Sequence, residues 1–218
     1  MTPETTAGAH AAQAPRLAPP YQVIRNFLDP ADVTALLDYA EAHEAEFAPS
    51  TLYDGTHVPT IRVSSVLSDF GRFDALLQEK VRALIPSLTT RLRVTPFEEA
   101  RIEVELVAHN DGAFYLPHID TYSGRKTDLN SVRVISGVYY VHREPKAYTG
   151  GALRLFDFQR DEREPAYVDF EPERNMLLVF PSWARHEVRP VACPSRRFMD
   201  SRFAVNCWIQ AKLAGPSA

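Results

Sequence analysis

Apolar residues recur at helical spacing early in this chain and alternate with polar ones later. After Asp29-Pro30, the residues Val33, Leu36, Leu37 and Ala40 fall on one face of a 3.6-residue helix. Asp29 is a favoured N-cap type, and Pro30 suits the first helical position. A second helix is predicted over Arg72 to Ile85, with Phe73, Leu76, Leu77, Val81, Leu84 and Ile85 on one stripe. Pro86 should end it, because proline cannot donate the next backbone N–H. Ala48 to Ser65, between the helices, reads as loop and short strand. From Arg101 the period becomes two: Arg101-Ile102-Glu103-Val104-Glu105-Leu106 alternates as a half-buried strand does. Short β-rich runs follow at Val132–Val141, Ala152–Phe156, Ala166–Phe170, Met176–Phe180, His186–Val191 and Arg202–Ile209. Asn110-Asp111-Gly112, Gly150-Gly151, Glu164-Pro165 and Glu171-Pro172 punctuate them as turns. Helices followed by many short strands predict an α+β, mainly β, fold: a jelly roll braced by N-terminal helices. No internal repeat is visible.

Composition narrows this only mildly. The 218 residues suit one domain with a core of its own. We expect a flexible tail over residues 1–20, rich in Ala, Thr and Pro, and a single ordered domain over 21–218. The tail lacks the basic start and apolar stretch of a signal peptide. A net charge of -4 offers no basic footprint for nucleic acid and no attraction to an anionic membrane. No apolar run approaches the ~20 residues that span a bilayer. Cys193 and Cys207 are too few for a disulfide framework, which points to a reduced, cytoplasmic protein. Nothing in the sequence speaks to oligomeric state.

Chemistry enters with His118-Ile119-Asp120 and the later His186. Two imidazoles and a carboxylate can occupy one face of an Fe(II) ion and leave the opposite positions open. Residues two apart on a strand share a face, so His118 and Asp120 should point together while Ile119 points into the core. His186 would arrive from a later strand. The short motif alone is unspecific, since an isolated histidine is more often a surface or hydrogen-bonded core residue.

The last strand carries a second signal. Arg202, Ala204, Asn206 and Trp208 alternate with Phe203, Val205, Cys207 and Ile209, so the first set should face the interior and the second an outer packing layer. A buried positive charge needs a partner, and a dicarboxylate could pair with Arg202 bidentately. Cys193-Pro194-Ser195-Arg196-Arg197 reads instead as a solvated turn. Tyr139 and Tyr140 must face opposite ways, so only one can reach the interior.

Several stretches, taken in order, resemble the prolyl 4-hydroxylase-like branch of the Fe(II)/2-oxoglutarate-dependent oxygenases. They are Gly112 to Asp120, Val138 to Val141, Gly150 to Phe156, Leu178 to Ser182 leading into His186-Glu187-Val188, and Arg202 to Trp208. The likeness runs from Ile102 to Ile209. It implies a double-stranded β-helix, with Fe(II) held by His118, Asp120 and His186. It also implies 2-oxoglutarate held by Arg202 and Tyr140 with Asn206 beside them, O2 as the oxidant, and ascorbate as a reductant. The implied reaction is hydroxylation of an aliphatic C–H with release of succinate and CO2. Halogenating relatives have a small residue in place of the carboxylate, so Asp120 favours hydroxylation. His109 stands where many relatives carry a tyrosine near the co-substrate. Family members commonly place their basic residue nearer the distal histidine, which here would be Arg196; the strand context favours Arg202. Arg133 occupies the place of a substrate-side arginine. Thr121 to Asn130 is a candidate lid, and Ser50 to Thr60, with Tyr53 and His57, a candidate rim. The expected substrate contains an amino acid, as a small molecule or a peptide, with proline among the candidates. Two other classes share parts of this pattern. A cupin-like metalloprotein would not need Arg202 and Tyr140, and a non-catalytic jelly-roll binding module would not need the full metal triplet.

Overall fold

The computed structural model describes residues 18–52, 55–121, 131–158 and 166–213. Most of the expected tail, residues 1–17, lies outside these, as do 122–130 of the candidate lid and Tyr53 of the candidate rim. The chain runs β1 (Gln22–Arg25), α1 (Pro30–Ala42), β2 (Ala48–Pro49), β3 (Arg62–Val63), β4 (Ser65–Leu67), α2 (Arg72–Arg91), β5 (Glu99–His109), β6 (Phe114–His118) and β7 (Ser131–Val141). It continues with β8 (Thr149–Gly150), β9 (Leu153–Phe156), β10 (Tyr167–Phe170), β11 (Met176–Pro181), β12 (His186–Val188), β13 (Val191–Ala192) and β14 (Arg202–Lys212).

Seven strands form the larger sheet in the order β1-β11-β7-β14-β5-β4-β2, and five the smaller in the order β10-β9-β12-β6-β3. The alternation read from the sequence decides what each face meets. Ile102, Val104 and Leu106 of β5 and Phe203, Val205, Cys207 and Ile209 of β14 pack in one core cluster with Val33, Leu36, Phe73, Leu77 and Leu88 of the two helices. The opposite phase of the same sheet, Val138, Tyr140, Leu178 and Ala204, meets Leu153 and Leu155 of the smaller sheet. The helices therefore brace the outer face, and the space between the sheets is left for the site. This is the jelly roll that the periodicity predicts.

Three local expectations are corrected. Helix α2 runs through Pro86 to Arg91 rather than stopping at Ile85. Pro86 sits on the exposed side of the helix, while Leu88 and Leu92 beyond it are each 1% exposed. Burying two leucines contributes roughly 3–6 kcal/mol, enough to offset the ~3 kcal/mol cost of an interior proline. The run His186–Val191 is broken: the pairing of β12 with β6 shifts register between His186 and Val188, and Pro190 has no N–H to continue a ladder. Ile119 is 52% exposed and does not enter the core. Strand β6 has ended at His118, so the alternation no longer applies, and Ile119 borders the cavity instead of the core.

Candidate active site

Antiparallel pairing of β6 with β12 sets His118 directly opposite His186. The two rings lie 4.2 Å apart, centroid to centroid. Asp120 follows the end of β6 and is pinned by its backbone N–H donating to the Ser182 carbonyl at 2.9 Å. Its carboxylate oxygens then stand 3.7 Å from His118 Nε2 and 3.6 Å from His186 Nε2. One donor atom from each of the three residues lies within 4.8 Å of the others. Each imidazole is oriented from behind. His118 Nδ1 donates to the Leu116 carbonyl at 2.8 Å and His186 Nδ1 to the Ala184 carbonyl at 2.9 Å. That leaves the Nε2 lone pairs of both rings turned towards Asp120, the arrangement a metal-ligating histidine needs. Burial, with His186 beside it, pushes the His118 pKa down, so its ring stays neutral. Burial alone would raise the Asp120 carboxyl, but His186, His118 and the Ser136 hydroxyl together hold it below its ordinary value. Two imidazole nitrogens and a carboxylate on one side of a cavity fit a divalent metal with open positions.

Arg202 opens β14 and is 1% exposed. Its Nε donates to the Gly151 carbonyl at 2.8 Å and its Nη1 to His109 Nδ1 at 3.2 Å, while Nη2 has no hydrogen-bond partner among the described residues. The Tyr140 and Tyr148 hydroxyls are also buried without a hydrogen-bond partner among the described residues. Burial pushes the Tyr140 phenol up to about 12, against the pull of the Arg202 guanidinium. The guanidinium carbon lies 4.9 Å from the centre of the Tyr140 ring. Buried polar groups normally find partners, so orphaned donors gathered around one guanidinium fit an anionic ligand. Gly151 makes the close approach possible. At φ +70° it suits glycine, and a Cβ there would stand 2.6 Å from Arg202 Cδ. His109 accepts from Arg202 through Nδ1, and burial, then Arg202 and Arg62, hold its pKa well below the ordinary value. The ring is therefore neutral with its proton on Nε2, one N–H donor in place of a tyrosine hydroxyl.

The metal triplet, His109, Arg202 and Asn206 line one cavity of about 340 Å³, whereas Tyr140 and Tyr148 are packed around Arg202 and are not part of its lining. Arg133 and Trp208 form part of its wall. The Arg133 guanidinium bonds Glu103 at 2.8 Å and stacks 3.9 Å above the Trp208 ring centre. Tyr139 faces away, its hydroxyl donating to Asn175 Oδ1 at 3.1 Å within the helix-side core. Arg196 is exposed and paired with Asp111, as a turn residue would be. Thr121 is tied by its N–H to the Ser182 carbonyl but does not line the cavity. Of the candidate rim, Thr51, Leu52 and Gly55 reach the cavity, whereas His57 does not. Three residues escaped the sequence reading. Glu105 lies two rungs from His109 on the same face of β5, so its period-two phase was the available signal. Arg62 and Tyr148 lie in short strand and loop, where no periodicity marks them.

Residues 104–210 match the model of the 2OG-Fe(II) oxygenase superfamily. An uncharacterized PKHD-type hydroxylase of Synechocystis is 37% identical over 199 residues, which cover 88% of this chain. The chain spans 64% of that relative's length. Among solved structures, a Pseudomonas putida prolyl-4-hydroxylase is 26% identical with a TM-score of 0.61, covering 89% of this chain and 93% of that one. A prolyl hydroxylase from Trichoplax adhaerens, in complex with a hypoxia-inducible-factor peptide fragment, shares the fold with a TM-score of 0.64 at 21% identity, over 88% of this chain and 83% of that one.

Proposed function

We propose that this chain is a 2OG-Fe(II) oxygenase, the superfamily whose model matches residues 104–210, and that it hydroxylates an aliphatic C–H of an amino-acid-containing small molecule or short peptide, releasing succinate and CO2. The observation that carries the reading is one cavity holding both a His-Asp-His donor set and a buried, half-satisfied arginine. A cupin-like metal protein would have no use for the second, nor a passive binding module for the first.

In this reading His118, Asp120 and His186 hold Fe(II). When bound, the iron and 2-oxoglutarate supply the oxidising chemistry that uses O2. The chain's own residues position and exclude. Arg202 Nη2 and the Tyr140 hydroxyl would take the distal carboxylate of 2-oxoglutarate, a charge-assisted contact at a buried site. His109 Nε2 and Asn206 offer further polar contacts on the same face. The carbonyls of Leu116 and Ala184 keep the imidazoles from turning. Arg133, locked between Glu103 and Trp208, forms a rigid wall on the substrate side. The peptide held by the Trichoplax relative supports a peptide as one form of the substrate. A single domain over 21–218, ascorbate as reductant and a cytoplasmic setting belong to the same proposal. Two buried free thiols, Cys193 and Cys207, suit a reducing compartment.

Anaerobic titration with Fe(II) and then 2-oxoglutarate, watched for the weak visible metal-to-ligand band, tests the reading without knowledge of the substrate. The band should form in the wild type, and it should be lost with the bound iron in His118→Ala, Asp120→Ala and His186→Ala. Full iron content and succinate formation in His186→Ala would remove the reading.

A further inference from the structure

The cavity has a second charged region that the co-substrate does not account for. On β5, Glu105 shares the interior face with His109 and sits four residues from it, about 13 Å along the strand. It lies beside Asn206 of β14 in the pairing register. Arg202 stands opposite His109, so Glu105 belongs to the other end of the cavity. Arg62 of β3 reaches the cavity from the smaller sheet.

Both side chains are half-buried on the cavity wall, and neither forms an ion pair with any described residue. Arg62 donates only to the Ser64 hydroxyl at 3.0 Å and, at 3.4 Å, to the Thr51 carbonyl. Glu105 has no hydrogen-bond partner among the described residues, in contrast to Glu103, which is claimed by Arg133 and Arg101. Burial raises the Glu105 carboxyl, while Arg62 and Arg133 pull it back. Burial likewise lowers Arg62, against Tyr115 and Glu105. The two charges feel one another across the cavity without touching. Held apart and partly desolvated, an opposite pair is costly unless something bridges it.

We infer that the outer half of the cavity takes a small zwitterion, a free α-amino acid whose ammonium is held by Glu105 and whose carboxylate is held by Arg62. The inference rests on the oxygenase reading and names the substrate class for it. A bound zwitterion satisfies both wall charges at once and adds no net charge to the site. An internal residue of a peptide, with its amine and carboxyl tied up in amides, satisfies neither. Arg133 is less suited to the carboxylate, being already committed to Glu103 and Trp208.

The test is calorimetric, with Fe(II)- and 2-oxoglutarate-loaded protein kept free of oxygen. It is titrated with the proteinogenic L-amino acids and then with the N-acetyl and C-terminal amide derivatives of the best binder. Free amino acids should bind. Acetylation should weaken binding at least tenfold in the wild type but little in Glu105→Gln, and amidation should weaken it at least tenfold in the wild type but little in Arg62→Gln. That crossed pattern cannot arise from a general loss of folding, because each variant is insensitive to a different blocking group. Binding of doubly blocked peptides in preference to free amino acids would overturn the inference, as would equal losses for every ligand in both variants. The visible band in the same sample separates the two levels. A band without amino-acid binding overturns the zwitterion and leaves the oxygenase, whereas no band removes both.

Discussion

Arg202 is the residue on which the co-substrate assignment turns. It is buried, it uses two of its nitrogens on Gly151 and His109, and its third has no hydrogen-bond partner among the described residues. Arg202→Ala should therefore weaken 2-oxoglutarate binding by roughly 2–5 kcal/mol, the usual loss for a desolvated charged contact. Arg196→Ala should leave it unchanged, because Arg196 is exposed and tied to Asp111. Titrating 2-oxoglutarate against the visible band measures both, and the opposite ranking would show that the turn, not β14, supplies the anchor. His109 yields a pH prediction. Its folded pKa lies well below the ordinary 6.5 because burial and Arg202 disfavour its charge. Above pH 6.5 the ring is neutral in both the folded and unfolded chain, so it adds no pH dependence. As pH falls below 6.5 the unfolded chain takes up a proton that the folded one refuses, and stability drops. His109→Gln should lose less thermal stability between pH 7 and pH 5 than the wild type; an equal loss would mean that His109 protonates freely in the folded protein.

Elements in this protein obey tertiary packing over local preference where the two conflict. Helix α2 is the case in point. Its proline lies on the solvent side, and the leucine two residues later lies in the core between helix and sheet. Leu88→Ala should cost about 2–5 kcal/mol in denaturant unfolding, the range for emptying a packed leucine site. Pro86→Ala should cost nothing or stabilise, since it restores a helical donor without touching the core. A large loss for Pro86→Ala together with a small one for Leu88→Ala would contradict the idea that burial carries the helix past the proline. Strand β14 obeys both influences at once. Its alternation puts aliphatic and aromatic residues towards the helices and Arg202, Asn206 and Trp208 towards the cavity. A one-residue slip would exchange the two sets, and the core they build holds the register.

At the scale of the whole molecule, the proposed metal ligands and the proposed 2-oxoglutarate anchor come from different sheets. His118 and His186 lie on the smaller sheet, and Arg202, His109 and Tyr140 on the larger. Ligands that engage both should stabilise the folded state, because the unfolded chain cannot assemble either half. Mn(II), which does not turn over, should raise the Tm, and 2-oxoglutarate should raise it further. At a ligand concentration a hundredfold above Kd the expected gain is about 2.7 kcal/mol. Arg202→Ala should keep the Mn(II) increment and lose that of 2-oxoglutarate. Loss of both increments would mean that Arg202 is structural rather than a ligand anchor.

How much of this was legible beforehand follows from the range over which each signal acts. Face alternation is local, so the phases of β5 and β14 could be read from neighbouring residues, as could the shared face of His118 and Asp120. The opposite orientations of Tyr139 and Tyr140 follow from the same rule. The order of the motifs carried the family resemblance and, through it, the expectation that His186 joins His118 and Asp120, which the structure brings within 4.8 Å of one another. Local reading failed wherever a distant element decided the outcome. Pro86 promised an end to α2, and the core beneath Leu88 and Leu92 overrode it. Ile119 promised a core residue by alternation, yet β6 stops before it and Ile119 borders the cavity. Arg62 and Glu105 lie far apart in sequence on strands of different sheets, and no periodicity relates them. Residue spacing along the chain thus determined which face each side chain takes, because that depends only on backbone geometry. Which charges meet across the cavity depended on how two sheets close over one another, and only the tertiary structure decided it.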